Sequence, residues 1–164
     1  GPLAPCGGIG CAFRYASPAA PLPLNLVEGF AGSGPTLRLR VTDDVEVAAA
    51  EGSLGSCSLV LRLDSLTPDD ELQVRLNGQH LSWETRTASF DGWTRLGLES
   101  LFWVKYPTYP TEQTRPGASI EFDLGCPPLR QGENEVVVHL LKRGAVRSQP
   151  VVLNGVEISI GYKQ

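Results

Sequence analysis

From residue 36 onward the chain alternates between apolar and polar positions. Leu37, Leu39 and Val41 are separated by Arg38 and Arg40, a period of two that gives a strand one buried and one wet face. The same beat returns in Leu59, Leu61 and Leu63, and in Leu72, Val74 and Leu76. It returns again in Ile120, Phe122 and Leu124, and Val156, Ile158 and Ile160 close the chain. Val136, Val138 and Leu140 alternate with Val137, His139 and Leu141. That second set is partly apolar, as in a central strand covered on both faces. Asn77-Gly78 follows one strand at once and predicts a tight hairpin, since both residues tolerate positive φ. Val45-Glu46-Val47 is expected to continue the first strand past a turn at Asp43-Asp44, and Ala48-Ala49-Ala50-Glu51 to make at most one helical turn. No stretch keeps a helical period, and 18 glycines and 13 prolines punctuate the chain. The expected fold class is all-β: an antiparallel β-sandwich of the jelly-roll kind.

The organisation follows from where the alternation starts and stops. Residues 1–35 are rich in Gly, Pro and Ala and read as an irregular lead-in. They are expected to lie across the core through Phe13, Tyr15, Leu24, Leu26 and Phe30. Residues 36–164 read as the sandwich, interrupted by a long aromatic insertion at 84–118 where the alternation lapses. A length of 164 residues suits one domain and a sizeable core.

Composition then narrows the function classes. The net charge of -4 is spread along the chain, so nucleic acid is not an expected partner. No run approaches the roughly 18 apolar residues of a membrane span, so no membrane association is expected. The chain contains no methionine, so a processed or excised piece is expected, with Gly1-Pro2 read as the scar of a removed tag. Four cysteines, Cys6, Cys11, Cys57 and Cys126, are disulfide candidates and point to an oxidising, extracellular setting. Three pairings are open. A local Cys6–Cys11 loop would leave Cys57 and Cys126 to staple distant segments, and four buried free thiols are the other reading. Asn25, Asn77, Asn134 and Asn154 all fail the glycosylation sequon.

The order of two motifs says more than the strands alone. Val74-Arg75-Leu76-Asn77-Gly78 is followed by Phe122-Asp123-Leu124 and then Leu129-Arg130-Gln131-Gly132-Glu133-Asn134-Glu135-Val136-Val137-Val138. Over about residues 36–162 this resembles the galactose-binding-like jelly rolls attached to glycoside hydrolases. The motif residues are scaffold, so the resemblance speaks to fold before function. It implies a non-catalytic carbohydrate-binding or ancillary module, secreted and cofactor-free, beside a neighbouring catalytic domain and facing a polysaccharide or oligosaccharide. The alternative is a structural or protein-interaction domain with no glycan ligand.

The candidate site lies in the insertion. Phe90, Trp93, Phe102, Trp103, Tyr106 and Tyr109 fall within 20 residues. Flat aromatic faces stack on the C–H groups of a sugar ring, and Asp91, Arg95, Glu99 and Lys105 are placed to bond its hydroxyls. The expected ligand-binding residues are Trp93, Trp103, Tyr106, Tyr109, Asp91, Arg95 and Lys105. The same aromatics would also serve to pin a long loop, or to face a neighbouring domain. Trp83 is expected to pack in the core. Asp69-Asp70-Glu71 reads as a turn in preference to a calcium site. Glu121 and Asp123 share a strand face as solvated carboxylates rather than as a glycosidase pair. Two lone histidines, His80 and His139, make no expected metal site.

Overall fold

The computed structural model describes residues 4–5, 12–18, 22–29, 34–90, 93–95, 103–105, 117–144 and 149–163. In chain order its strands are β1 (Ala4–Pro5), β2 (Ala12–Ala16), β3 (Leu24–Leu26) and β4 (Thr36–Val41). A short helix, α1 (Val45–Ala50), precedes β5 (Leu54–Asp64), β6 (Glu71–Leu76) and β7 (Gln79–Leu81). A 3-10 turn at Trp83–Thr85 leads to β8 (Thr87–Phe90), β9 (Trp93–Arg95) and β10 (Trp103–Lys105). The last three strands are β11 (Gly117–Asp123), β12 (Gly132–Lys142) and β13 (Val151–Tyr162).

Among the described residues these strands, β9 and β10 apart, build two antiparallel sheets packed face to face, the β-sandwich expected from the alternation. The larger sheet runs β1-β2-β13-β5-β11-β8, with β3 also paired to β13. The smaller runs β4-β12-β6-β7. The core is the set of inward positions read from the sequence. Leu37, Leu39 and Val41 face Leu59, Leu61 and Leu63, with Val136, Val138, Ile158 and Ile160 beside them, all buried. Each such side chain contributes about 1.5–3 kcal/mol on leaving water, so the period-two pattern fixes which face of each strand turns inward.

Local chemistry sets the turns. The β6–β7 hairpin pairs Leu76 with Gln79, and Asn77 and Gly78 sit at φ +51° and +83°, the two positive values a two-residue turn of this hand requires. Gly34 is fixed by contact: at φ +128°, a Cβ there would lie 2.2 Å from the Val138 carbonyl oxygen. That close approach lets Pro35 accept a backbone hydrogen bond from Val138 at 3.2 Å and carry the ladder past the end of β4.

Two expectations are corrected. Val45-Glu46-Val47 does not continue β4; it opens α1. Asp44 is the reason, because its carboxylate accepts from the Val47 N–H at 3.1 Å and caps the first turn. The helix then buries Val45 and Ala48 on one side. The lead-in is also not wholly irregular. It supplies β2 and β3, both paired to β13, and Leu26 enters the core. Phe30 and the side chain of Phe13 lie outside the described residues. Among the described residues no helix is long and apolar enough to cross a membrane.

Candidate functional site

β9 and β10 form a small antiparallel ribbon within the insertion. The register pairs Trp103 with Arg95, Val104 with Thr94 and Lys105 with Trp93. Directly paired residues share a face, and so do residues two apart on one strand. Trp93, Arg95, Trp103 and Lys105 therefore take alternate positions of the backbone register, and Thr94 and Val104 the positions between; their side chains lie outside the described residues. Four of the seven expected ligand-binding positions fall in this ribbon, with Trp103 opposite Arg95 and Trp93 opposite Lys105 in the backbone register. The other three, Asp91, Tyr106 and Tyr109, lie outside the described residues.

Trp83 is separate from this ribbon. It is half-buried and packs on the core, its ring centroid 6.3 Å from that of Phe122. The Arg86 guanidinium lies 4.0 Å from the indole centroid, and its Nη1 donates to the Trp83 carbonyl at 2.6 Å. This is a cation–π contact that closes the 3-10 turn against the sheet. The expectation that Trp83 belongs to the core holds.

The acidic cluster is a structural turn. Asp70 donates its N–H to the Thr67 carbonyl at 3.0 Å. Its buried carboxylate accepts from Thr67 N–H at 2.8 Å and from Gly144 N–H at 2.6 Å, and Arg143 Nη2 lies 3.7 Å away. Among the described residues no group of three or more His, Cys, Asp and Glu is placed to hold a metal. Glu121 and Asp123 are on the outward face of β11, with Asp123 exposed. His80 is exposed on β7, whereas His139 is buried on β12, paired to Gln73.

The disulfide expectation is corrected for the pair the structure describes. Cys57 and Cys126 are free thiols. They are neighbours nonetheless: Leu124 N–H donates to the Cys57 carbonyl at 2.8 Å, and Cys126 follows two residues later against the same core. Burial pushes the Cys57 thiol up to about 12, with Cys126 adding to the rise. Burial, and then Glu46, also raises Cys126. Both environments hold the neutral thiol and disfavour the thiolate that nucleophilic or metal chemistry needs. Cys6 and Cys11 lie outside the described residues.

Of these two thiols, Cys57 is expected to resist a thiol-specific reagent at pH 8 until the protein is unfolded, and the half-buried Cys126 to react slowly. Thiol counting by mass before and after denaturant checks this, and immediate labelling of Cys57 would contradict it. The folded Cys57 binds its proton more tightly than the unfolded one. Its contribution to stability is therefore complete below about pH 9 and is lost as pH rises toward 12.

Sequence reasoning missed one further feature. Two small hollows meet at the edge where β2 of the larger sheet passes β4 of the smaller. One, of about 100 Å³, is bounded by Tyr15, Arg40, Thr42, Asp43 and Ile160 among others. The second, about 280 Å³, is bounded by Ser17, Arg38, Arg40 and Glu133. Arg40 lines both. Arg38 and Arg40 are visible in the sequence only as the polar beat of a strand; no local signal marks the cleft.

No protein-family model matches the chain, and no curated protein matches it.

Proposed function

We propose that this chain is a non-catalytic carbohydrate-binding module, or an ancillary module of the same kind, from a larger secreted carbohydrate-active protein. The observation that carries the reading is the register of the β9–β10 ribbon. It sets two tryptophans opposite two cations along the backbone, Trp103 against Arg95 and Trp93 against Lys105. Indole faces stack on the apolar side of a pyranose, and Arg and Lys donate to its hydroxyls. The resemblance of the Asn77-Gly78 and Gly132-Glu133-Asn134 motifs to those of galactose-binding-like jelly rolls supports the same reading at the level of fold. A polysaccharide or oligosaccharide is then the ligand, and the neighbouring catalytic domain of the parent chain the partner.

Affinity electrophoresis through a panel of polysaccharides tests this. At least one glycan is expected to retard the protein. Trp103→Ala is expected to lose about 1–3 kcal/mol of binding, roughly a five- to 150-fold fall in affinity, as for a stacking aromatic at an interface centre. No retardation on any glycan, with the ribbon instead shielded by a partner domain, would favour the structural reading.

A further inference from the structure

The register of β4 on β12 sets Glu133 opposite Arg40 and Glu135 opposite Arg38. Simple cross-strand pairing would give each arginine its own carboxylate. The side chains do otherwise. Arg38 takes both: its Nη1 lies 3.5 Å from Glu133 and its Nη2 3.8 Å from Glu135. Arg40 is left with no hydrogen-bond or ion-pair partner among the described residues. Three other arginines are tied down: Arg86 to Trp83, Arg130 to the Glu133 carbonyl, and Arg143 to Asp70 and Gln149; exposed Arg62 on β5 is as free as Arg40 among the described residues but lines neither hollow. Arg40 is also the residue common to the two hollows.

The surroundings define what this guanidinium would meet. Tyr15 lines the smaller hollow and Ser17, with its hydroxyl, the larger. Asp43 offers an acceptor that is already held in place, since the Tyr162 hydroxyl donates to it. The Thr42 carbonyl is braced by the Gln131 side chain at 2.9 Å. A free guanidinium selects an anion and favours a planar carboxylate, which it can grip with two parallel N–H groups. Glu133 and Asp43 stand on the same walls and repel a dianion such as phosphate or sulfate more than a monoanion. The larger hollow, about 280 Å³, lies just below the usual range for a small-molecule pocket, which suits one ring.

We propose that Arg40 is the centre of a second subsite, which takes the carboxylate of a single acidic sugar residue, a hexuronate. The proposal rests on the glycan-binding reading above but uses a different surface from the ribbon. Ser17 and Asp43 bond the ring hydroxyls, and Tyr15 covers one edge.

The test is an NMR titration of the isotope-labelled chain with D-glucuronate, with D-glucose and acetate in parallel. Glucuronate is expected to shift the amide signals of Tyr15, Ser17, Arg40 and Thr42 in a saturable way. Glucose and acetate are expected to bind about tenfold more weakly, each lacking one half of the recognition. Arg40→Gln is expected to weaken glucuronate about tenfold while leaving the melting temperature unchanged, because Arg40 is exposed and supports no contact. Arg38→Gln is expected to weaken glucuronate as well, because it frees Glu133 to pair with Arg40 opposite it, while melting similarly.

Equal binding of glucose, or no effect of Arg40→Gln, overturns the subsite. Acetate as tight as glucuronate reduces it to an anion site and also overturns it. The indole signals of Trp93 and Trp103, followed with a long polysaccharide, separate the two readings. If they stay still while the Arg40 region responds, the ribbon assignment fails and the subsite stands. If only they respond, the subsite fails alone.

Discussion

Asp70→Ala is expected to destabilise the protein by about 3–5 kcal/mol, a large fraction of the stability of a domain this size. Asp70 is 1% exposed and holds three groups, one in its own turn and two in the distant Arg143-Gly144 segment. It accepts from the N–H groups of Thr67 and Gly144 and faces the guanidinium of Arg143, whose side chain is 10% exposed. Arg143 in turn donates through its own N–H to Glu28 at 2.8 Å and through Nη1 to the Gln149 carbonyl at 3.0 Å. One carboxylate therefore ties the β5–β6 connection to the end of β12, and through Arg143 to the segments after β3 and before β13. Removing it leaves a nearly buried cation and two backbone donors uncompensated. Urea unfolding followed by circular dichroism measures the loss. The double variant Asp70→Ala, Arg143→Met is expected to recover part of it, because the stranded charge is gone. A loss below about 1 kcal/mol in the single variant would show that this clamp does not hold the fold.

The second large effect is expected at Asn134. Its side chain is fully buried at the start of β12. Oδ1 accepts from Asn77 Nδ2 at 2.9 Å and from the Arg130 N–H at 3.1 Å. Nδ2 donates to the carbonyls of Arg130 at 2.8 Å and Gly132 at 3.2 Å. Asn77 completes the network by donating to the Pro128 carbonyl at 2.8 Å and accepting from the Glu135 N–H at 2.8 Å. Two asparagines thus join the β6–β7 hairpin to the turn that launches the central strand. Asn134→Ala strands several buried polar groups and is expected to cost about 3 kcal/mol, lowering the melting temperature by roughly 6–12 °C. Glu133→Ala, one residue away and exposed, is expected to change stability by less than about 0.5 kcal/mol. Differential scanning calorimetry of the two variants decides it: similar melting temperatures would contradict the network.

These two networks show which parts of the fold a linear reading reaches. The alternation at Leu37, Leu59, Leu72, Ile120 and Val136 was readable because each strand carries its own burial pattern. Asn77-Gly78 was readable because a tight turn demands particular residues. The structural weight of Asn134 was not, since its partners Asn77 and Arg130 are set by how three segments meet in space. α1 was missed because Val45-Glu46-Val47 mimics a strand over three residues, and one side-chain cap at Asp44 decides otherwise. β2 and β3 were missed for a different reason. Ala12–Ala16 and Leu24–Leu26 are too short to show a period, and their pairing to β13 comes from more than a hundred residues downstream.

The site divides along the same line. The aromatic cluster at 90–109 was visible as composition, and Trp93, Trp103, Arg95 and Lys105 were named from it. Their cross-strand pairing is a matter of register, which composition does not carry. The Arg40 cleft depends on something less visible still, the capture of two carboxylates by one neighbouring arginine.

The claim that the ribbon face is the glycan platform is tested most directly by acrylamide quenching of the Trp83→Phe variant. This variant keeps only Trp93 and Trp103. The account predicts that both indoles quench readily in the free protein and become protected when a polysaccharide that retards the protein is added. Indoles shielded from the outset, or quenching that no retarding polysaccharide alters, would contradict it.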